Sequence, residues 1–250
     1  MEQLNNGSVV ISLDETASTN LELKQLLQNN SLPEGSIVKT EFQTQGRGQA
    51  DNSWFSEKGC NLLFSYLLYP KFVMANEQFI ISRIVSLALK EALDEYMDNI
   101  SIKWPNDIYW KDKKIAGMLI ENSLIGKRIE NTIVGIGLNV NQDEFPHDLP
   151  NPISMKQVTG IEYNRDELLK AFSDAFFSLY QALKQGEGQR IEQEYLQQLY
   201  RGDGYYWYED ENGHFEAIIK DVLPSGHLIL QTLIGEEERK YAFKEVSFVI

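Results

Sequence analysis

Lys103-Trp104-Pro105-Asn106-Asp107, followed after six residues by Lys114-Ile115-Ala116-Gly117-Met118-Leu119-Ile120-Glu121, decides how this chain is read. Pro105 holds Trp104 in an extended conformation and donates no backbone hydrogen bond, so a strand ends there. Asn106 and Asp107 then present polar groups at the strand end. A bare strand-terminating turn would need less than Trp-Pro-Asn-Asp. Lys114 leads an apolar strand, expected over Ile115–Ile120 behind a hairpin turn at Lys111-Asp112-Lys113. Gly135-Ile136-Gly137-Leu138-Asn139-Val140-Asn141 closes the series. Two glycines one residue apart strip side chains from one face of a strand and clear room for a flat ligand against the backbone.

Working outward, Val9–Leu13 and Ile37–Phe42 read as strands around a helix at Leu21–Leu27, entered through Ser18-Thr19-Asn20. Residues 43–58 form a polar loop holding Gln45-Gly46-Arg47-Gly48-Gln49, then Trp54. Its glycines let backbone N–H groups approach a ligand. Arg47 can fork two hydrogen bonds to a carboxylate or phosphate. Neither a Walker A loop nor a dinucleotide fingerprint is spelled out. Asn61–Leu68 is a near-continuous apolar strand, and Glu77–Met97 carries apolar residues at helical spacing. Further strands fall at Ile100–Lys103, Ile108–Trp110 and Ile129–Ile136. Asn164 and Glu167 suggest a capping box opening a helix to Leu183, with another at Gln189–Tyr200. Closely spaced short strands over Tyr205–Ile250 suggest a small β-barrel appended to an α+β domain, with a boundary near residue 201.

Composition narrows the function. The 250 residues carry a net charge of −14, which argues against phosphate-backbone binding to nucleic acid and against anionic membranes. Only residues 101–130 are net positive, at +2, the span that includes Lys114. An acidic chain with one basic patch suits a negatively charged small ligand such as a nucleotide. One cysteine, Cys60, allows no internal disulfide and suits a reducing cytoplasm; burial is its expected role. His147, His214 and His227 lack metal-ligand spacing. No signal peptide or membrane span is expected.

Together these motifs resemble the biotin–protein ligases, in the single-function form without a DNA-binding domain. The resemblance rests on Ser18-Thr19-Asn20, Gln43 with Gly46-Arg47-Gly48, Trp54, Lys103–Asp107, Lys114 with Ala116-Gly117, and Gly135–Asn139, in order across residues 14–141. It implies a class II synthetase-like α+β catalytic domain with a mixed, largely antiparallel sheet over residues 1–200. It implies an SH3-like barrel over 201–250. The implied chemistry joins biotin to ATP as biotinoyl-5′-AMP, with Mg²⁺, then passes biotin to a lysine on a carrier domain of a biotin-dependent carboxylase. By the same resemblance Ser18, Thr19, Asn20, Gln43, Gly46, Gly117 and Gly135 would hold biotin. Arg47 and Lys114 would meet its carboxylate and the phosphates. Trp54, Asn106 and Asn139 would lie on the nucleotide side, and Asp107 would orient or deprotonate the acceptor amine.

The loop departs from the family pattern. Gln49, Asp51 and Asn52 stand where many members carry further basic residues or glycine, so Arg47 is the loop's only cation before Lys58. A leakier adenylate is the expectation. Lipoate or octanoate ligation and non-catalytic biotin binding stay open as alternatives, as does a homodimer. The 17 residues before Ser18 are too few for a winged helix, so a repressor is not expected.

Overall fold

Alternation sorts the residues of strand β4 (Leu62–Leu68), all of them buried, onto two faces of a central sheet. Phe64 meets Phe172 edge-on and Tyr66 meets Phe176 at a tilt on helix α4 (Arg165–Lys184), while Ser65 and Leu67 face the other way, toward helix α1 (Thr19–Asn29). The computed structural model describes residues 2–3, 8–49 and 52–250. Asp51 and most of the polar Met1–Ser8 stretch lie outside the described residues.

The eight-stranded sheet runs β1 (Glu2–Gln3), β2 (Val9–Leu13), β3 (Ile37–Thr40), β4, β8 (Arg128–Leu138), β7 (Lys113–Ile125), β6 (Asp107–Trp110), β5 (Ile100–Lys103). Only β2 and β3 pair in parallel, through the α1 crossover. Helices α2 (Phe79–Asp94) and α4 pack together over one face. Helix α3 (Met155–Thr159) follows the β8 exit, and α5 (Gly188–Gln197) packs on α2. A second, five-stranded antiparallel sheet is ordered β12 (Glu238–Tyr241), β11 (Leu228–Thr232), β10 (Gly213–Val222), β9 (Tyr206–Asp210), β13 (Ser247–Phe248). Its inward residues Tyr208, Val222, Leu228 and Leu230 join the same buried core as α2 and α5.

Three local expectations are corrected. Asn164 caps α4 by accepting from the Asp166 N–H, while its amide turns to Glu167; the reciprocal capping box forms instead at Ser154 and Gln157, opening α3. Helix α5 stops at Gln197 rather than Tyr200. The next residues leave it to pair with β5, where Ile102 N–H donates to Gln198 O and Tyr200 N–H to Ile102 O. The β7–β8 hairpin is longer than its apolar cores, because cross-strand pairing carries polar residues out to Ile125 and Arg128.

Candidate active site

Lys114 and Gly117 are three residues apart, which in a regular strand would put them on opposite faces. A bulge reverses this. Tyr109 pairs with Lys114 and Ile108 with Ala116, leaving Ile115 as the extra residue. Lys114 is thereby turned to the face of Gly117 and of its cross-strand partner Asp107. Its Nζ lies 2.7 Å from Asp107 Oδ1, an ion pair without hydrogen-bond alignment. The neighbouring chain clamps the lysine backbone on both sides: Lys114 N–H donates to Asn151 O at 2.8 Å, and Ile153 N–H to Lys114 O at 2.9 Å. Asn106 ties the turn before Asp107 to β7, its Nδ2 donating to Met118 O at 2.7 Å and its carbonyl accepting from Met118 N–H at 2.9 Å.

The opposite end is a closed hydrogen-bond network. The Ser65 hydroxyl, wholly buried on β4, lies 2.7 Å from Thr19 Oγ1 and 2.5 Å from Asn20 Oδ1. Thr19 donates its N–H and hydroxyl to Gln43 Oε1 at 2.9 and 3.2 Å, which leaves the Gln43 amide nitrogen as the outward donor. Asn20 Nδ2 donates to Leu119 O and to Glu121 Oε2, the latter at 2.7 Å. The Glu121 carboxylate also receives Lys24 at 2.6 Å and Arg47 at 3.3 Å. Burial alone would raise the Glu121 carboxyl, but hydrogen bonds from Lys24 and Asn20, with the charges of Lys24 and Arg47, outweigh it and hold the group below the usual carboxylate range.

Between the two ends the floor is made of glycines. Gly117 pairs with Gly137, and Gly135 sits between Ser65 and Leu119. The space they clear is taken by the protein's own side chains rather than left open. Asn20 fills the position a Gly135 Cβ would need. The Trp54 indole lies against Gly137 and Gly117, with its Cζ3 2.9 Å from where a Gly117 Cβ would stand. Lys114 Nζ is 5.6 Å from the centroid of that ring, and the buried Trp54 Nε1 has no partner.

These elements enclose a cleft of about 630 Å³ lined by Ser18, Thr19, Asn20, Gln43, Arg47, Trp54, Asn106, Asp107, Lys114, Gly117 and Gly135. Gly46 and Asn139 do not line it. Gly46 closes the loop by accepting from Trp54 N–H at 2.9 Å, and Asn139 is buried, donating to Ile153 O at 3.1 Å. The sequence reading overlooked four contributors. Ser65 was visible only as a break in the apolar run. Glu121 closed the Lys114 strand motif without an assigned task. Lys103 sits between the rings of Tyr109 and Phe248, at 4.8 and 5.1 Å; burial, helped by Arg201, holds its amine below the ordinary lysine range against the pull of Asp107. The segment with Phe243, Lys244, Val246 and Phe248 walls the cleft from the second sheet, and no sequence signal marked it. Cys60 is half-buried rather than buried and lies outside this cleft. Burial and the charge of Glu57 push its thiol up, away from a reactive thiolate.

The sequence profile described as the biotin/lipoate A/B protein ligase family matches residues 12–139, which hold the loop, the glycine floor and Lys114. The chain belongs to that family. It is 32% identical over 163 residues to the bifunctional ligase/repressor BirA of Bacillus subtilis, covering 64% of this chain and 50% of that one. It is 30% identical over 172 residues to the biotin–[acetyl-CoA-carboxylase] ligase of Paracoccus denitrificans, covering 66% and 70%. The chain thus spans about half the length of the first of these relatives. Over the whole fold it superposes on the biotin protein ligase of Aquifex aeolicus solved with biotin and ATP, with a TM-score of 0.79 and 27% identity, covering 96% of this chain and 97% of that one. None of the described helices is long and apolar enough to cross a membrane, and no group of three or more His, Cys, Asp or Glu suited to a metal occurs among the described residues.

Proposed function

We propose that this chain is an ATP-dependent biotin–protein ligase. It joins the biotin carboxylate to the α-phosphorus of ATP, releasing pyrophosphate, and then passes the biotinoyl group to a lysine amine of a carrier domain of a biotin-dependent carboxylase, releasing AMP. One observation carries the reading. A cleft with a finished polar network at one end holds an ammonium, Lys114, against a carboxylate, Asp107, at the other.

In this reading Ser18, Thr19 and Gln43 meet the ureido ring, and Asn20 and Gly135 shape the floor beneath it. Arg47 leaves Glu121 to meet the biotin carboxylate and the phosphates. Lys114 lies where the two anions are brought together, supplying fixed positive charge as negative charge builds up on the phosphorus oxygens. Trp54, Asn106 and the Phe243–Phe248 segment border the nucleotide. Asp107 orients the acceptor amine in the second step. Asp107 is the only carboxylate side chain among the described lining residues and is paired with Lys114, which fits Mg²⁺ arriving on the ATP phosphates rather than in a protein cage. When bound, the ion neutralises phosphate charge. Residues 1–200 form the catalytic unit and 201–250 an SH3-like barrel, in a reducing cytoplasm.

The deciding experiment mixes the protein with ATP, Mg²⁺ and either biotin or lipoate and measures pyrophosphate release. Biotin-dependent release is expected. Release with lipoate alone would move the assignment to the lipoate branch of the family, and tight biotin binding without release would make the protein a biotin sensor.

A further inference from the structure

Trp104 belongs to the turn that carries Asp107, yet its indole N–H is committed elsewhere. It donates at 2.9 Å to the carbonyl of Gly226, in the turn between β10 and β11 of the second sheet. That turn is closed on itself, with Gly226 N–H donating to Leu223 O and Leu223 N–H to His227 O, each at 2.8 Å. Gly226 holds φ +91°, and a Cβ there would stand 2.8 Å from Cδ2 of Phe79, so the turn is pressed onto the first residue of α2. One turn further along α2, the buried guanidinium of Arg83 bonds the Val222 carbonyl and the Glu192 carboxylate. The turn is therefore fixed to the same helix at two places, beside Val222 and at Gly226.

We propose that this turn is a positioning element of the ligase reaction, acting through Trp104 on the place of Asp107 beside Lys114; the proposal rests on the ligase reading above. The turn before Asp107 has two anchors. On the β7 side Asn106 is tied to Met118 through both its backbone and its amide. On the other side Pro105 has no N–H to give, so the Trp104 indole supplies the polar tie. Ser225 of the positioning turn also shares a small cavity with Pro105 and Asn106, so the two turns face each other directly. Removing the indole tie lets the Asp107 carboxylate shift, and displacement of a reacting group by about 1 Å can cost on the order of 10²-fold in rate. Trp104 and Gly226 are positioning residues, and neither need touch the reacting atoms.

The test is made in the full chain. Trp104→Phe keeps an aromatic ring but cannot donate to Gly226. Its kcat for biotin-dependent pyrophosphate release is expected to fall about 10- to 100-fold, the upper figure being the scale of a full misplacement, while KM for biotin stays within about twofold because the biotin end is wired separately. Asp210→Asn weakens the ties to Tyr241 and Arg239 within the second sheet, touching neither anchor of the turn, and is expected to lower thermal stability at near-parental kcat. Parental kcat in Trp104→Phe, or an equal fall in Asp210→Asn, would overturn the proposal in favour of simple docking of the second sheet. A second readout needs no activity: pulse acetylation of the substrate-free protein, comparing Lys114 with Lys113 by mass spectrometry. Trp104→Phe is expected to raise the Lys114/Lys113 ratio severalfold, and an unchanged ratio overturns the proposal. Silence of the parent protein with biotin would instead count against the ligase reading, leaving the labelling ratio to decide the positioning role.

Discussion

The two ends of the cleft are built on opposite plans. At the Ser18–Gln43 end nearly every polar group already has a protein partner: Ser65 holds Thr19 and Asn20, Thr19 holds Gln43, and Asn20 reaches Glu121. At the Lys114 end the groups are held apart from full satisfaction. Asp107 Oδ1 meets Lys114 without alignment, and Trp54 Nε1 and Gln49 Oε1 are buried without partners. A finished network recognises one shape at little reorganisation cost. An unfinished one stores donors and charge for the group that arrives, as a site stabilising transient negative charge requires. The contrast teaches that specificity and chemistry are separated along the cleft, and substitutions should separate with them.

The largest expected effect breaks the chemical end. Lys114→Ala should keep the fold but slow adenylate formation by about 10²–10³, the scale of removing one preorganised charge; near-parental pyrophosphate release would remove Lys114 from the reaction. The recognition end should fail differently. Ser65→Ala removes the hydroxyl proton that Asn20 Oδ1 accepts and is expected to cost about 1–3 kcal/mol in urea unfolding. It should raise KM for biotin while leaving kcat at saturation within about twofold. A kcat collapse would erase the division between the ends.

A smaller effect tests the hinge between them, Glu121. Because its carboxyl is held below the usual range, the stability it contributes is present above the unfolded value, about 4.3, and is lost as pH falls through the lower folded value. The difference in Tm between the parent and Glu121→Gln should therefore be largest near neutrality and vanish in acid. A constant difference from pH 7 to pH 3 would mean that charge plays no part there. The smallest effect concerns the loop. Gln49→Arg should slow release of the adenylate a few-fold in a chase with excess unlabelled biotin, and an unchanged rate would show that Gln49 already retains it.

Much of this was legible in the chain because it rests on short-range rules. Pro105 marks the strand end, and Gly135 and Gly137 mark a face without side chains. The change to closely spaced short strands past residue 201 marks the second sheet. What could not be read depends on register and on distant packing. The bulge at Ile115 that swings Lys114 toward Asp107 is a one-residue slip against β6, and no composition signals it. The face without side chains at Gly135 and Gly137 was legible, but what occupies it was not: Asn20 lies over Gly135 and Trp54 over Gly137, 115 and 83 positions away in sequence. Trp104 announced itself as unusual, while its partner Gly226 looked like any turn glycine.

The indole of Trp54 also makes the molecule its own indicator. Four tryptophans contribute to its emission. Trp104 is shut in the core, Trp110 lies under the Lys111 ammonium, and Trp207 is half exposed on the second sheet. Only Trp54 rests on the glycine floor, beside Lys114 and with an idle N–H. A ligand that reaches the glycine floor must displace that ring or cover it, so its arrival and departure can be followed as light, without a label.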